Sequence, residues 1–69
     1  MQISARNQLR GTVKSVTLGA VMAEVVVALP DGQEIVSAIT RASAEGMNLK
    51  TGDQVVAIIK STEVMVGKG

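Results

Sequence analysis

The 69-residue chain contains no cysteine, no histidine, and no phenylalanine, tyrosine or tryptophan. Without cysteine and histidine, zinc, haem and iron–sulfur centres lose their usual ligands. Disulfides and metal clips, the common staples of small proteins, are lost with them. So are the Ser–His and Cys–His pairs behind the familiar forms of acyl transfer. The missing aromatic side chains leave no platform on which a nucleobase or a pterin ring could stack.

An excess of one charge is also lacking. Seven Lys and Arg stand against six Asp and Glu, for a net charge of +1, whereas sequence-independent nucleic-acid binders are clearly basic. Glu24, Glu34, Glu45 and Glu63 are scattered along the chain and form no carboxylate pair that would cage calcium or magnesium. The longest apolar runs, residues 25–29 and 55–59, fall far short of the roughly 20 residues that cross a bilayer. No basic segment followed by an apolar one opens the chain, so no signal peptide is expected. These absences point to a soluble cytoplasmic protein with no membrane or nucleic-acid partner. The lack of cysteine fits a reducing compartment.

What the chain does have is aliphatic surface. Val, Ala, Ile, Leu and Met make up its hydrophobic 46%. A single domain of this size cannot close a large core by itself, so the surplus predicts an assembly of identical copies. The four methionines read as one initiator and three core fillers. Arg10, Lys14 and Arg41 read as solvated or ion-paired.

The pattern is that of strands separated by turn signals. Residues 7–18 alternate imperfectly, with Gly11 as a candidate bulge or bend. Residues 21–29 are Val-rich and read as covered on both faces. Pro30-Asp31-Gly32 marks a tight turn, and residues 33–39 alternate cleanly, so the two segments form a hairpin. Residues 40–47 suit one or two helical turns with Thr40 as N-cap and Gly46, or at latest Asn48, as terminator. Residues 54–59 form a fourth strand, Lys60-Ser61-Thr62-Glu63 a polar break, and Val64-Met65-Val66 a short fifth strand. The expected fold is all-β with one short helix, a five-stranded OB-like antiparallel barrel.

Three polar clusters interrupt this apolar background: Ser4-Ala5-Arg6-Asn7, Thr40-Arg41-Ala42-Ser43 and Lys60-Ser61-Thr62. Singly they are ordinary: an exposed N-terminus, a helix cap and a solvated turn. Jointly they hold the parts of an oxyanion receptor. Hydroxyls donate in adaptable directions, and amides at a helix start attract anions. Thr40 is expected to cap the helix while giving its proton to an anion, with Ser43 on the same face. Arg6 and Lys60 supply two positive charges, enough to balance a dianion. No general base stands out, so binding is expected rather than catalysis.

The same residues carry a family resemblance. Ser4-Ala5-Arg6-Asn7-Gln8-Leu9, with Gly11 and Val13 behind it, resembles the opening of the molbindins, the Mop or molybdenum-pterin-binding proteins. Ala23-Glu24-Val25 and the closing stretch from Ala57 through Lys60-Ser61-Thr62-Glu63 to Val66 look like that family too. The likeness spans essentially all of residues 1–69, which it implies are one domain of this type. It implies an OB-like barrel assembled as a hexamer, a trimer of dimers, that binds molybdate or tungstate in sites shared between subunits. The residues it places on the oxyanion are Ser4, Ala5, Arg6, Thr40, Ser43, Lys60 and Ser61, with no direct coordination of the metal. The composition gives no support to a pterin ligand. Related domains occur fused to a DNA-binding region or a transport ATPase. This sequence contains neither a reading head nor a G-x-x-x-x-G-K-[ST] phosphate loop, and the expectation is a non-enzymatic protein of storage and homeostasis. The competing readings are an OB-type nucleic-acid-binding module and a purely structural oligomerisation domain.

Overall fold

Valine and isoleucine at alternate positions favour a pleated, half-buried backbone, and the computed structural model, which describes residues 1–69, places strands where that alternation lies. They are β1 (Asn7–Leu18), β2 (Met22–Ala28), β3 (Glu34–Thr40) and β4 (Gln54–Ile59). One helix, α1 (Arg41–Gly46), joins β3 to β4, and a single 3-10 turn, Ser61–Glu63, follows β4. All pairings are antiparallel, in the order β3-β2-β1-β4.

The long strand β1 organises the molecule. Its first half pairs with β4, from Asn7 opposite Ile59 to Thr12 opposite Gln54. Its second half pairs with β2, from Thr12 opposite Ala28 to Leu18 opposite Ala23. Thr12 therefore belongs to both ladders. Just beyond it the register slips between Val13 and Ser15, a bulge that bends the strand and deepens its twist. Gly11 is not that bulge, as the sequence led us to expect; it is in regular register opposite Val55. Its role is close approach. A Cβ there would lie 2.5 Å from Val27 Cγ1 and 2.7 Å from the Ala28 carbonyl oxygen.

The β2–β3 hairpin turns through Pro30-Asp31-Gly32, as expected. The Gly32 amide donates to the Leu29 carbonyl at 3.0 Å and the Leu29 amide to the Gln33 carbonyl at 2.7 Å. Gly32 takes φ +90°, the left-handed conformation that glycine adopts without steric cost. The Asp31 carboxylate accepts from the Gln33 side-chain amide at 2.6 Å and its backbone N–H at 3.1 Å. These bonds hold its carboxyl below the usual carboxylate range.

Helix α1 ends in a Schellman motif. Asn48, at φ +51°, donates its N–H to the Glu45 carbonyl, and Leu49 donates to that of Ala44. Leu49 then packs against the core.

That core is small. Val13, Ala23, Val25, Val27 and Ala44 are its buried apolar residues, flanked by half-buried Val16, Ile39, Leu49 and Val55. The free edges of β3 and β4 face each other across an open slot of about 380 Å³, lined by Val25, Val27, Ile35, Ile39, Val55 and Ile59 among others, with Ser37 as its sole polar residue.

The sheet has four strands and not five. Residues 64–66, expected as a fifth strand, pair with nothing on this chain, and Met65 and Val66 are over 90% exposed. A strand needs a ladder partner for its N–H and C=O groups, and this segment, which follows the 3-10 turn, has none within the chain. What the single chain forms is a curled half-barrel.

Candidate functional site

The register of β1 decides where the seven candidate residues lie. Asn7 opposite Ile59 is the last pair of the β1–β4 ladder. The chain segments continuing past that pair carry Ser4, Ala5 and Arg6 on one side and Lys60 and Ser61 on the other. The fold thus brings five of the seven to one end of the sheet. Ala5 is half-buried and the other four are exposed. The Ala5 carbonyl accepts from the Gln8 side-chain amide at 2.7 Å, which fixes the approach of this segment to β1.

Thr40 and Ser43 lie elsewhere. Thr40 pairs with Met22, beside the turn after Leu18, at the far end of β1. Twelve residues of β1, at about 3.3 Å per residue, put on the order of 35–40 Å of strand contour between the two groups. An oxyanion is only a few ångströms across. No single chain surrounds one with all seven residues; each carries two partial sites, one at each end of β1.

The two partial sites differ in charge. At the first, Arg6 and Lys60 make no ion pair. The three ion pairs of the chain are Lys14 with Glu34, Arg41 with Glu45, and Lys50 with Asp53. Lys14 and Arg41 are ion-paired and Arg10 is exposed, within the solvated or ion-paired roles expected of the three. Two uncompensated cations at one end of the sheet favour the approach of an anion there.

The second partial site is neutral and already partly engaged. As expected, Thr40 caps α1: its Oγ1 accepts from the Ser43 backbone N–H at 3.1 Å. In the ligand-free chain the Thr40 hydroxyl donates to Ser43 Oγ at 2.7 Å. The hydroxyl proton left free is that of Ser43. The backbone amides of this turn are less available than the sequence led us to expect. The Arg41 N–H donates to the Val21 carbonyl at 2.8 Å, and the Ser43 N–H is taken by Thr40. Arg41 also donates through Nη1 to the Gly19 carbonyl at 3.2 Å. That bond fastens the helix to the turn after β1, and the Arg41 charge is paired with Glu45.

No three Asp, Glu, His or Cys side chains cluster where they could hold a metal ion, and no buried side-chain N or O lacks a partner. The perturbed carboxylates, Asp31 and Asp53, are in turns outside both partial sites. The arrangement offers hydroxyls, amides and two cations. Sequence reasoning missed the apolar slot between β3 and β4. Neither edge strand taken singly discloses it, and only the strand order reveals that β3 and β4 border the same opening without pairing with each other.

The family model of the TOBE domain matches residues 3–66. The chain is 47% identical over 66 residues to "Molybdenum-pterin-binding protein 3" of Clostridium pasteurianum, which covers 96% of this chain and 97% of that protein. It is 51% identical over 69 residues to "Molybdenum-pterin-binding protein MopA" of Rhodobacter capsulatus, covering 100% of this chain and 26% of that longer protein. Among solved structures, a molybdate binding protein from Sporomusa ovata superposes with a TM-score of 0.92 at 46% identity, over 99% of this chain and 100% of that one.

Proposed function

The chain belongs to the TOBE domain family, and from that premise we propose that it binds molybdate in sites that neighbouring copies of the chain build together. One observation carries this reading. The candidate oxyanion ligands fall into two partial sites at opposite ends of β1, so a complete set requires the cationic end of one copy to meet the hydroxyl end of another.

The donors suit the guest. Arg6 and Lys60 match the charge of a dianion, and the hydroxyls of Ser4, Ser43 and Ser61 with the Ala5 amide offer neutral hydrogen bonds to its oxygens. Thr40 acts by orienting Ser43. Tungstate has the same charge and shape and is proposed as an equivalent guest. A pterin has no aromatic side chain to stack on, so the ligand we propose is the bare oxyanion.

Assembly follows from the same fold. The slot between β3 and β4 and Val21, at 72% exposure beyond it, are apolar surface left uncovered by the single chain. Such surface favours burial against further copies, and a hexamer built from dimers is the assembly we propose. A protein that binds without turnover acts as a reservoir, so storage and homeostasis in the cytoplasm is the role we assign.

Anion competition tests the reading. A preformed pocket is sized for one tetrahedron, and the smaller sulfate leaves donors unpaired at about 1–3 kcal/mol each. Two such failures give molybdate a preference of about 30-fold or more. In calorimetric competition, sulfate displacing molybdate at near-equal concentration would mean that no such pocket is formed.

A further inference from the structure

Asn7, Asp31, Asn48 and Asp53 are the residues whose side-chain carbonyl is one bond from Cβ. The backbone nitrogen of the following residue can attack such a carbon and close a five-membered succinimide ring. The attack needs an unhindered nitrogen, and the followers are Gln8, Gly32, Leu49 and Gln54. Only Gly32 has no side chain to obstruct it. Nothing lies within 4 Å of where a Gly32 Cβ would stand, and residues 30–34 are all exposed. The tip of the β2–β3 hairpin is therefore where this backbone is chemically weakest. Yet the turn engages every atom that the reaction uses. The Gly32 N–H donates to the Leu29 carbonyl at 3.0 Å, so the nucleophile must give up a bond before it can lose its proton. One Asp31 oxygen accepts from the Gln33 backbone N–H at 3.1 Å and the other from the Gln33 side-chain amide at 2.6 Å. The carboxyl loses water readily only as the neutral acid, and both bonds favour its ionised form. The Gln33 side chain is the main cause that holds it below the usual carboxylate range.

We propose that Asp31 is the chain's site of spontaneous aspartate isomerisation and that Gln33 retards it by binding both carboxylate oxygens. The step needs no co-reactant but water. The Gly32 nitrogen bonds to Asp31 Cγ, its proton and the carboxyl OH depart as one water, and the ring closes. Water then opens the ring at either carbonyl. One opening restores aspartate, and the other leaves isoaspartate, in which the main chain runs through Cβ. Mass and composition are unchanged. The isoaspartyl turn is longer by one backbone atom and carries a free α-carboxylate. Loop length fixes hairpin register, so the added atom disrupts the two bonds that close this turn, Gly32 N–H to the Leu29 carbonyl and Leu29 N–H to the Gln33 carbonyl. The new α-carboxylate, exposed at a hairpin tip, is a substrate for methyltransferases that esterify isoaspartyl residues.

The test ages the full chain at physiological temperature, folded in buffer and unfolded in urea. Isoaspartate is counted by an isoaspartyl-specific carboxyl methyltransferase with radiolabelled S-adenosylmethionine. It is located in the tryptic peptides 15–41, which holds Asp31, and 51–60, which holds Asp53. Isoaspartate is expected in peptide 15–41, and at least about tenfold more slowly in the folded chain than in the unfolded one, the scale of a few turn hydrogen bonds. Gln33→Ala should speed the folded reaction by about two- to tenfold, the weight of one hydrogen bond. It should also move the fall of rate with rising pH to higher pH, because the neutral acid then persists longer; a purely structural role for Gln33 would leave that profile in place. Gln33→Lys, whose ammonium again binds the carboxylate, should restore most of the protection. Melting curves establish that both variants are folded during ageing, and if the alanine variant is not, the lysine variant decides by ageing at the native or the unfolded rate. Gln33→Ala ageing at the native rate with an unmoved pH profile overturns the role of Gln33. Equal rates in the folded and unfolded chain, or isoaspartate found only in peptide 51–60, overturn the proposal as a whole.

Discussion

Lys60 and Asp53 show how differently two charged groups of one small chain behave. Lys60 is exposed and unpaired, and its charge is balanced only when an anion arrives. Lys60→Ala is expected to weaken molybdate binding by at least about tenfold in calorimetry, as losing one member of a charge pair does. Thermal stability of the ligand-free protein should hold, because the change relieves repulsion with Arg6. Unchanged affinity would place Lys60 outside the site. Asp53 is satisfied without any ligand. Its carboxylate accepts from the Lys50 backbone N–H at 3.0 Å and pairs with Lys50 Nζ at 3.1 Å. The hydrogen bonds from Lys50 hold its carboxyl below the usual carboxylate range, as the bonds from Gln33 do for Asp31. A carboxyl with a depressed folded-state pKa contributes stability that is fully present above its unfolded value and is lost as pH falls through the folded one. The melting temperature should therefore stay level from pH 7 to pH 5 and decline below about pH 4. Asp53→Asn should flatten part of that decline. At this scale the sequence disclosed which residues bear the chemistry but not where a hydroxyl proton points. Thr40 and Ser43 were legible as a pair. That Thr40 spends its proton on Ser43 follows from the helical turn between them, which residue types alone do not specify.

Among the secondary-structure elements, β1, β4 and the β2–β3 hairpin were readable from alternation and turn chemistry, and α1 from its threonine cap. The limit came at Gly11 and at residues 64–66. Glycine within a strand has two uses, a bulge or a close approach, and separating them takes the neighbouring strand. In this fold Val27 and the Ala28 carbonyl crowd Gly11, and a carbonyl oxygen yields less readily than the tip of a side chain. Gly11→Ala is expected to destabilise the protein by about 1–3 kcal/mol through overpacking, read as a lower denaturant midpoint at unchanged m-value. A neutral result would show that β1 and β2 separate more easily than their register implies. Residues 64–66 have the composition of a strand but no partner within the chain, and composition carries no information about a partner on another copy.

For the whole molecule, the balance of buried and exposed surface favours association. The buried core amounts to a few valines and alanines, while Val21, Val36, Met47, Met65 and Val66 remain at least 60% exposed. Sedimentation at micromolar concentration should show a species of several copies, and dilution should release bound molybdate as copies separate. A well-folded monomer that retains molybdate would contradict both the assembly and the shared site. The assembly was legible only as an excess of apolar residues over what 69 positions can bury; which faces carry the excess needed the strand order.

The dual pairing of Thr12 also sets a sequence of events in time. The β2–β3 hairpin closes over a turn of a few residues, whereas the β1–β4 ladder joins nearly the two ends of the chain. Loop closure over the longer span loses more entropy, and non-local pairings form late when local ones are available. Changes in the Pro30–Gly32 turn should therefore slow refolding. Changes in β4, such as Val55→Ala, should chiefly speed unfolding, and the two arms of a chevron plot would separate these effects. Arg6 and Lys60 flank the outermost pair of that late ladder. The cationic half of the binding site is then the last part of each chain to take shape, and the first to be lost when the chain begins to open.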